Sequence, residues 1–215
     1  MTVSSEKDDP FPGLESAVST LEAYARSFCY PCVDRDSLAI AGDSLEIAWI
    51  KALTRRRAGI AEVYRAWAVE NVPKMAKNAR YVINQEQFDL LVRRTGFDLL
   101  RIWREASSER PDKLSFGVAY RIVDLLFKEI DESSSCRFDS ARPFLHVPLD
   151  ASTLRPLRRI IDELIDFDYS IEIPATIPSG FVATEEQYVI LQSAVAALAR
   201  RAGVPPILYA YWCER

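Results

Sequence analysis

The most apolar stretch of the chain runs from Leu114 to Ile130, and it reads LSFGVAYRIVDLLFKEI. Its length suits a helix of about four to five turns. Apolar residues recur at every third or fourth position on two faces, which leaves one narrow polar stripe. A helix with so little polar surface must be enclosed by protein. We therefore predict a mainly α-helical, single-domain bundle of roughly seven to eight helices around this central helix.

Capping signals place other helices around the central one. Asn84 followed by Gln87 predicts a helix from about Gln85 to Ala106, and Thr184 followed by Gln187 predicts another. Gly203, with Pro205 beyond it, predicts where that second helix ends. Asp43 followed by Glu46 predicts the start of another helix. The apolar period continues past Gly59, where either one helix bends or two helices meet, and it is predicted to end at Pro73, since proline lacks the amide donor.

Two further segments have the residues of an extended chain. Residues 170–177 alternate around Ile171 and Ile173, which predicts a minor β element at an edge. The aromatic tail, 207–212, predicts a second one. It is too apolar to stay in water, so it either joins a strand, contacts a protein partner or second copy of the chain, or closes the monomer's own core.

The length of 215 residues fits one helical domain over 13–215, with a flexible polar tail over 1–12. No apolar run reaches the roughly 18 residues that a membrane span needs. The first residues have no basic start followed by an apolar core, so no secretion signal is expected. These features predict a cytoplasmic protein that does not enter a membrane.

Charge is unevenly distributed along the sequence. Residues 1–50 carry 3 basic and 9 acidic side chains, whereas residues 51–80 carry 8 basic and 2 acidic ones, in a chain of net charge −4. The basic residues of this segment are Lys51, Arg55, Arg56, Arg57, Arg65, Lys74, Lys77 and Arg80. Trp49, Tyr64, Trp67 and Tyr81 lie among or beside them. Cations mixed with aromatics are typical of nucleic-acid surfaces, whereas aromatics at helical core positions predict ordinary packing. The cations could equally pair with the acidic first 50 residues or contact a protein partner.

A second candidate site follows the polar stripe of the central helix, which consists of Gly117, Arg121, Asp124, Lys128 and Asp131. Arg121, Asp124 and Lys128 are spaced to pair along the helix, and Gly117 leaves room for a close approach by another backbone or a ligand. His146, the only histidine, lies four residues before Asp150, which could orient its ring. The alternatives are a small polar ligand cleft, with or without catalysis, and a structural histidine beside a thin polar line that reaches solvent.

The sequence has few grouped side chains that could bind a metal or a cofactor. Cys29 and Cys32 have the CxxC spacing of a redox pair or of half a zinc site. However, they follow a predicted helix, and the other possible zinc ligands, Cys136, His146 and Cys213, are scattered. We therefore expect two small core residues there, no metal site and no cofactor. Phosphate-binding loops and nucleophile-elbow motifs are absent from the sequence.

Together these features predict a non-enzymatic binding or regulatory protein that acts through protein–protein contacts. A nucleic-acid-binding module that uses residues 51–80 is the first alternative. An enzyme with an unfamiliar site near the polar stripe is the second.

Overall fold

The computed structural model describes residues 13–47, 50–51, 59–106, 114–133, 135, 139–164, 171–178 and 180–215. The described part is mainly α-helical, as predicted, and its nine α-helices pack against each other. They are α1 (Leu14–Ser27), α2 (Ser37–Asp43), α3 (Ile60–Ala79), α4 (Gln85–Ala106), α5 (Phe116–Glu132), α6 (Ala151–Leu157), α7 (Ile161–Leu164), α8 (Glu185–Arg201) and α9 (Ile207–Cys213). Within these ranges, no helix combines the length and the apolarity that a bilayer crossing requires. The tail predicted at 1–12 lies outside the described residues.

Helix α5 is the central helix that the sequence predicts. Ala119, Ile122, Val123 and Leu126 are completely buried, and Phe127 is 1% exposed. Helices α2, α3, α4 and α8 all pack against α5. The Ser115 side chain caps it by accepting a hydrogen bond from the amide of Val118.

Most of the predicted helix ends are confirmed. Helix α4 begins and ends at the predicted residues, and Asn84 accepts a hydrogen bond of 2.9 Å from the Gln87 amide. Thr184 and Gln187 form the predicted capping box of α8. At the other end of α8, Gly203 has φ +66° and the Val204 amide donates to the Ala199 carbonyl, as in a Schellman motif.

The predicted helix start at Asp43 and the predicted helix end at Pro73 are both wrong. At Gly59, φ is +85° and the residue directly precedes α3, so the predicted alternative of one helix bending there is excluded. Asp43 is the last residue of α2, which Asp36 caps from the other end. Pro73 lies inside α3, and that helix continues to Ala79. An internal proline costs about 3 kcal/mol, but the turns around it bury Val72, Met75 and Ala79. Burying each large apolar side chain contributes about 1.5–3 kcal/mol, so packing outweighs the local preference.

Neither predicted β element forms in the described part of the chain. Residues 171–178 contain no strand, and the isolated bridge between Val33 and Ser133 is elsewhere. The tail is helix α9, with Ile207, Leu208 and Tyr209 almost fully buried. Periodicity cannot separate a strand from a helix in so short an apolar run, and here both faces are covered. Of the three alternatives for the tail, closing the chain's own core is the one observed.

Candidate functional site

The polar stripe of α5 is covered by other side chains. Asp124, Lys128 and Asp131 are 0%, 6% and 2% exposed, respectively. The predicted alternative of a thin line reaching solvent is therefore wrong. Buried charges need partners, and each of these three side chains has its own.

Gly117 and Arg121 line a small cleft of about 280 Å³ at the start of α5. A Cβ atom at Gly117 would lie 2.0 Å from the carbonyl oxygen of Val182, so the close approach here is by backbone. Arg121 donates to Asp150 at 2.8 Å. Asp150 also caps α6, which draws it away from His146, and the predicted pairing of Asp150 with His146 is wrong.

The C-terminal half of the stripe forms separate ion pairs. Lys128 Nζ lies 3.1 Å from Glu132 and 3.0 Å from Glu214. Asp131 accepts two hydrogen bonds from Arg142, at 2.8 and 2.9 Å. Lys128 is therefore not part of one cleft with Gly117, Arg121 and His146, and these two groups of charges support packing around α5.

Asp124 belongs to a chain of polar groups that reaches His146 and the surface. The Tyr188 hydroxyl donates to both Asp124 oxygens, at 2.8 and 2.9 Å, and lies 2.7 Å from His146 Nδ1. On the other side of the ring, His146 Nε2 lies 2.9 Å from Asp89 Oδ1. The Gln192 side-chain amide donates to Asp124 at 3.3 Å and to the carbonyl of Val147, and it accepts a hydrogen bond from the Val147 amide. We call Asp89, His146, Tyr188, Asp124 and Gln192 the polar chain.

The two carboxyl groups of the polar chain differ in acidity. Burial raises the pKa of Asp124 well above its ordinary value of 3.8, against the opposing effect of the Tyr188 hydrogen bond. Partial burial also acts to raise the pKa of Asp89, but hydrogen bonds from His146 and Gln85 lower it overall. Burial and the neighbouring Asp124 raise the pKa of Tyr188 well above 10. Asp124 therefore keeps a proton at a pH where Asp89 has lost its own.

Each ring nitrogen of His146 has a polar partner, Tyr188 at Nδ1 and Asp89 at Nε2. The Tyr188 hydroxyl lies between the His146 ring and the Asp124 carboxyl, and it is within hydrogen-bond distance of both. Because a hydroxyl can both donate and accept, Tyr188 connects the buried carboxyl to the ring through an unbroken line of hydrogen bonds.

The exposed end of the polar chain lies in a cleft of about 790 Å³ between α4 and α8. This α4–α8 cleft is much larger than the one beside Arg121, and its volume is in the range of small-molecule sites. Its polar lining includes Gln85, Asp89, Arg93, His146, Glu185 and Arg200, and its apolar lining includes Val92, Leu145, Leu164, Val189, Val204 and Pro206. Asp89 is half-exposed there, whereas the His146 side chain is only 10% exposed.

Several cations in the described part of the basic segment have partners within the chain. Lys51 pairs with Glu46, Lys74 pairs with Glu70 at 2.6 Å, and Arg80 donates to the Ser135 carbonyl at 2.9 Å. Arg65 and Lys77 are exposed on α3, whereas Arg55, Arg56 and Arg57 lie outside the described residues. Tyr64 and Trp67 are buried in the core, so of these aromatics only Tyr81, 73% exposed, offers a ring to a base in the described residues.

The cysteines are not arranged as predicted. Cys29 and Cys32 are exposed free thiols, so the expectation of two small core residues is wrong. Cys213 is partly buried, and desolvation raises the pKa of its thiol. Among the described residues, no three side chains of the metal-binding types come together.

Sequence reasoning found Asp124 and His146 but missed their partners. The structure brings these two side chains within 3.9 Å of each other, although they lie on different elements. Tyr188 and Gln192 are one turn apart on the apolar face of α8. Polar groups at two neighbouring core positions were the sequence signal that could have indicated buried polar partners here. Asp89 gives no such signal, because nothing local marks it among the exposed residues of α4.

Comparison of the chain with models of known protein families, with curated proteins and with solved structures returns no match.

Proposed function

We propose that this chain is a binding protein for a small organic ligand that occupies the α4–α8 cleft. One observation carries the proposal: a cleft of about 790 Å³ places an apolar wall beside the exposed end of the polar chain. Sites for small molecules combine a mostly apolar lining with a few positioned polar groups. Asp124 lies buried behind Tyr188, outside the cleft lining, and the strongly raised pKa of this carboxyl beside a cleft further supports function over packing alone.

The proposal departs from the expectation of protein–protein contacts for a structural reason. That expectation rested on the aromatic tail, and Tyr209 and Tyr211 of the tail are buried within the chain itself. Tyr209 also donates to the carbonyl of Thr153 at 2.6 Å. Contact with a protein partner stays a prediction. Binding of nucleic acid by residues 51–80 also stays a prediction, and its affinity would have to fall steeply as the salt concentration rises.

A thermal-shift screen of small organic molecules tests the proposal. Ser193 is exposed in the middle of the cleft wall, so Ser193→Trp fills the cleft with an indole ring. Glu186→Trp adds the same ring to an exposed position on the same helix outside the cleft. A ligand at 100 times its Kd stabilises the folded state by about 2.7 kcal/mol, which is easily measured.

We expect ligands that raise the Tm of the wild type and of Glu186→Trp but leave the Tm of Ser193→Trp unchanged. Ligands that stabilise Ser193→Trp equally well bind somewhere else and contradict the proposal. A screen without any ligand that depends on the cleft contradicts it as well.

The polar chain favours one second candidate, an enzyme that uses His146 as its acid–base group. His146 Nε2 faces the cleft side, and the Tyr188–Asp124 pair behind Nδ1 can accept or return a proton. The test is turnover of a ligand identified in the screen. Loss of turnover in His146→Gln with binding retained supports the enzyme, whereas unchanged turnover rejects this role for His146.

A further inference from the structure

We propose that the ligand of the α4–α8 cleft is an apolar organic anion whose charged group binds Arg200. This inference rests on the proposed function and adds the chemical class of the ligand to it. It follows from the charges along the cleft and from the side chains that separate them.

The cleft has acidic side chains at one end and a cation at the other. Near the start of α8, Arg93 and Glu185 form an ion pair of 2.7 Å. At the same end, the half-exposed Asp89 carboxylate lies 2.9 Å from His146 Nε2. Arg200 is exposed in the last turn of α8, and no carboxylate among the residues that the structure describes pairs with it. An anion that enters this end therefore meets a cation whose charge no neighbour in the described cleft neutralises.

The surface that leads to Arg200 is apolar and shallow. Ser193, Ala196, Ala197 and Arg200 share one face of α8, at the three- and four-residue spacings of a helix. The small side chains leave a trough, and Val189 to Ala197 spans roughly 12 Å at 1.5 Å per residue. Leu164, Val204 and Pro206 line the same cleft. This shape suits a hydrocarbon body of medium length with its charged group at the Arg200 end.

The half-exposed carboxylate of Asp89 sets the direction of the ligand. Tyr188 neighbours the His146–Asp89 pair and lies about three turns before Arg200 on α8. The distance between Tyr188 and Arg200 along the helix axis is about 18 Å. An anionic group is repelled near Asp89 and attracted near Arg200. The same arrangement disfavours a cationic ligand of equal length at the Arg200 end.

A basic residue in the last turn of a helix also has an ordinary explanation, which is its favourable interaction with the helix dipole. That explanation applies equally to Arg201, which is exposed in the same turn but does not line the cleft. Arg201→Gln is therefore a matched control for Arg200→Gln. Both substitutions remove one charge from the same helix end, and only one removes it from the cleft.

The experiment is a titration of the full chain with octanoate, octan-1-ol and octylamine by isothermal calorimetry at low ionic strength. We expect octanoate to bind about two- to fivefold more tightly than the alcohol, the effect of one exposed ion pair. Arg200→Gln should remove this preference, whereas Arg201→Gln should keep it. Ser193→Trp should abolish octanoate binding.

Failure of this inference is distinguishable from failure of the proposed function. If the alcohol or the amine binds as tightly as octanoate and Ser193→Trp still abolishes the binding, the cleft is a ligand site but not one for anions. If Arg201→Gln weakens octanoate binding as much as Arg200→Gln does, the assignment of Arg200 is wrong. If octanoate does not bind, the inference is wrong, and the broader screen alone decides whether the cleft binds other molecules.

Discussion

At the scale of single residues, two aspartates on α5 are equally buried but differ in their partners. Asp131 meets the guanidinium of Arg142 in a two-point ion pair, whereas Asp124 meets the neutral groups of Tyr188 and Gln192, with His146 3.9 Å away. A buried carboxyl among neutral groups favours its protonated form, and burial accordingly raises the pKa of Asp124. The two residues therefore respond differently to the same substitution.

We predict that Asp124→Asn makes stability less dependent on pH. The pKa of Asp124 is higher in the folded chain than its ordinary value of 3.8, so the stability it contributes is complete below pH 3.8 and is lost as pH rises through the folded pKa. Asparagine has no proton to lose and still accepts a hydrogen bond from Tyr188. Urea unfolding between pH 4 and 8 should show the variant gaining on the wild type as pH rises; parallel curves would contradict this.

Asp131→Asn is the control for that experiment. It weakens a buried ion pair and leaves the Arg142 charge partly uncompensated, so it should cost about 2–4 kcal/mol at neutral pH. Asp139, which accepts from the other side of Arg142 at 2.6 Å, limits the loss. If Asp124→Asn and Asp131→Asn were equally stable at neutral pH, this would contradict the difference between the cationic partner of Asp131 and the neutral partners of Asp124.

Two helical glycines should respond to alanine with opposite signs. At Gly117 a Cβ atom would lie 2.0 Å from a backbone oxygen, which cannot move away as the end of a side chain can. Gly117→Ala should therefore cost about 1–3 kcal/mol despite the better helix propensity of alanine. Gly42, in α2, has no other atom within 4 Å of that position, so Gly42→Ala should stabilise by roughly 0.5–1 kcal/mol. Chemical denaturation of both variants measures the difference.

At the scale of elements, α5 is held by the helices around it. Phe127 is 1% exposed, and its ring lies 5.0 Å from that of Phe88 on α4 in an edge-to-face contact. We predict that Phe127→Ala lowers the free energy of unfolding by about 3–5 kcal/mol, because it removes buried surface and leaves a cavity. Thermal and urea unfolding measure the loss.

Phe97→Ala is the comparison, since Phe97 is on α4 but 50% exposed. It should cost about 1 kcal/mol or less. A Phe127→Ala variant as stable as Phe97→Ala would show that α5 is not the centre of the bundle.

At the scale of the whole molecule, the last helix completes the core. Helix α9 packs against α1, α6 and α8, and it carries three large buried side chains, Ile207, Leu208 and Tyr209. Their burial contributes roughly 5–9 kcal/mol, as much as the entire stability of many domains. We predict that deletion of 207–215 abolishes cooperative unfolding, measured by circular dichroism.

Deletion of 214–215 alone should keep the fold, because Lys128 retains its ion pair with Glu132. A deletion of 207–215 that stays folded and cooperative would contradict the role of α9 in the core. If that shortened chain also lost an oligomer seen in sedimentation of the full chain, the tail would instead be an interface.

The sequence by itself determined the helical class, the central helix and most helix ends. These features depend on periodicity and on capping residues within a few positions of each other, as at Asn84, Thr184 and Gly203. Local preference failed at Pro73 and in the tail, where the packing of distant residues outweighs it. Nothing near Pro73 in the sequence shows how much surface the surrounding turns bury.

Only the tertiary structure decided where the candidate site lies. Asp89, Asp124, His146 and Tyr188 come from three helices and one loop, at separations of up to 99 residues, and no local pattern relates them. The polar stripe on α5 predicted that polar partners exist but not which elements supply them. The α4–α8 cleft is the space left between packed elements. Its volume, and the position of Arg200 within it, therefore depend on how the helices pack, and short-range sequence patterns do not encode that packing.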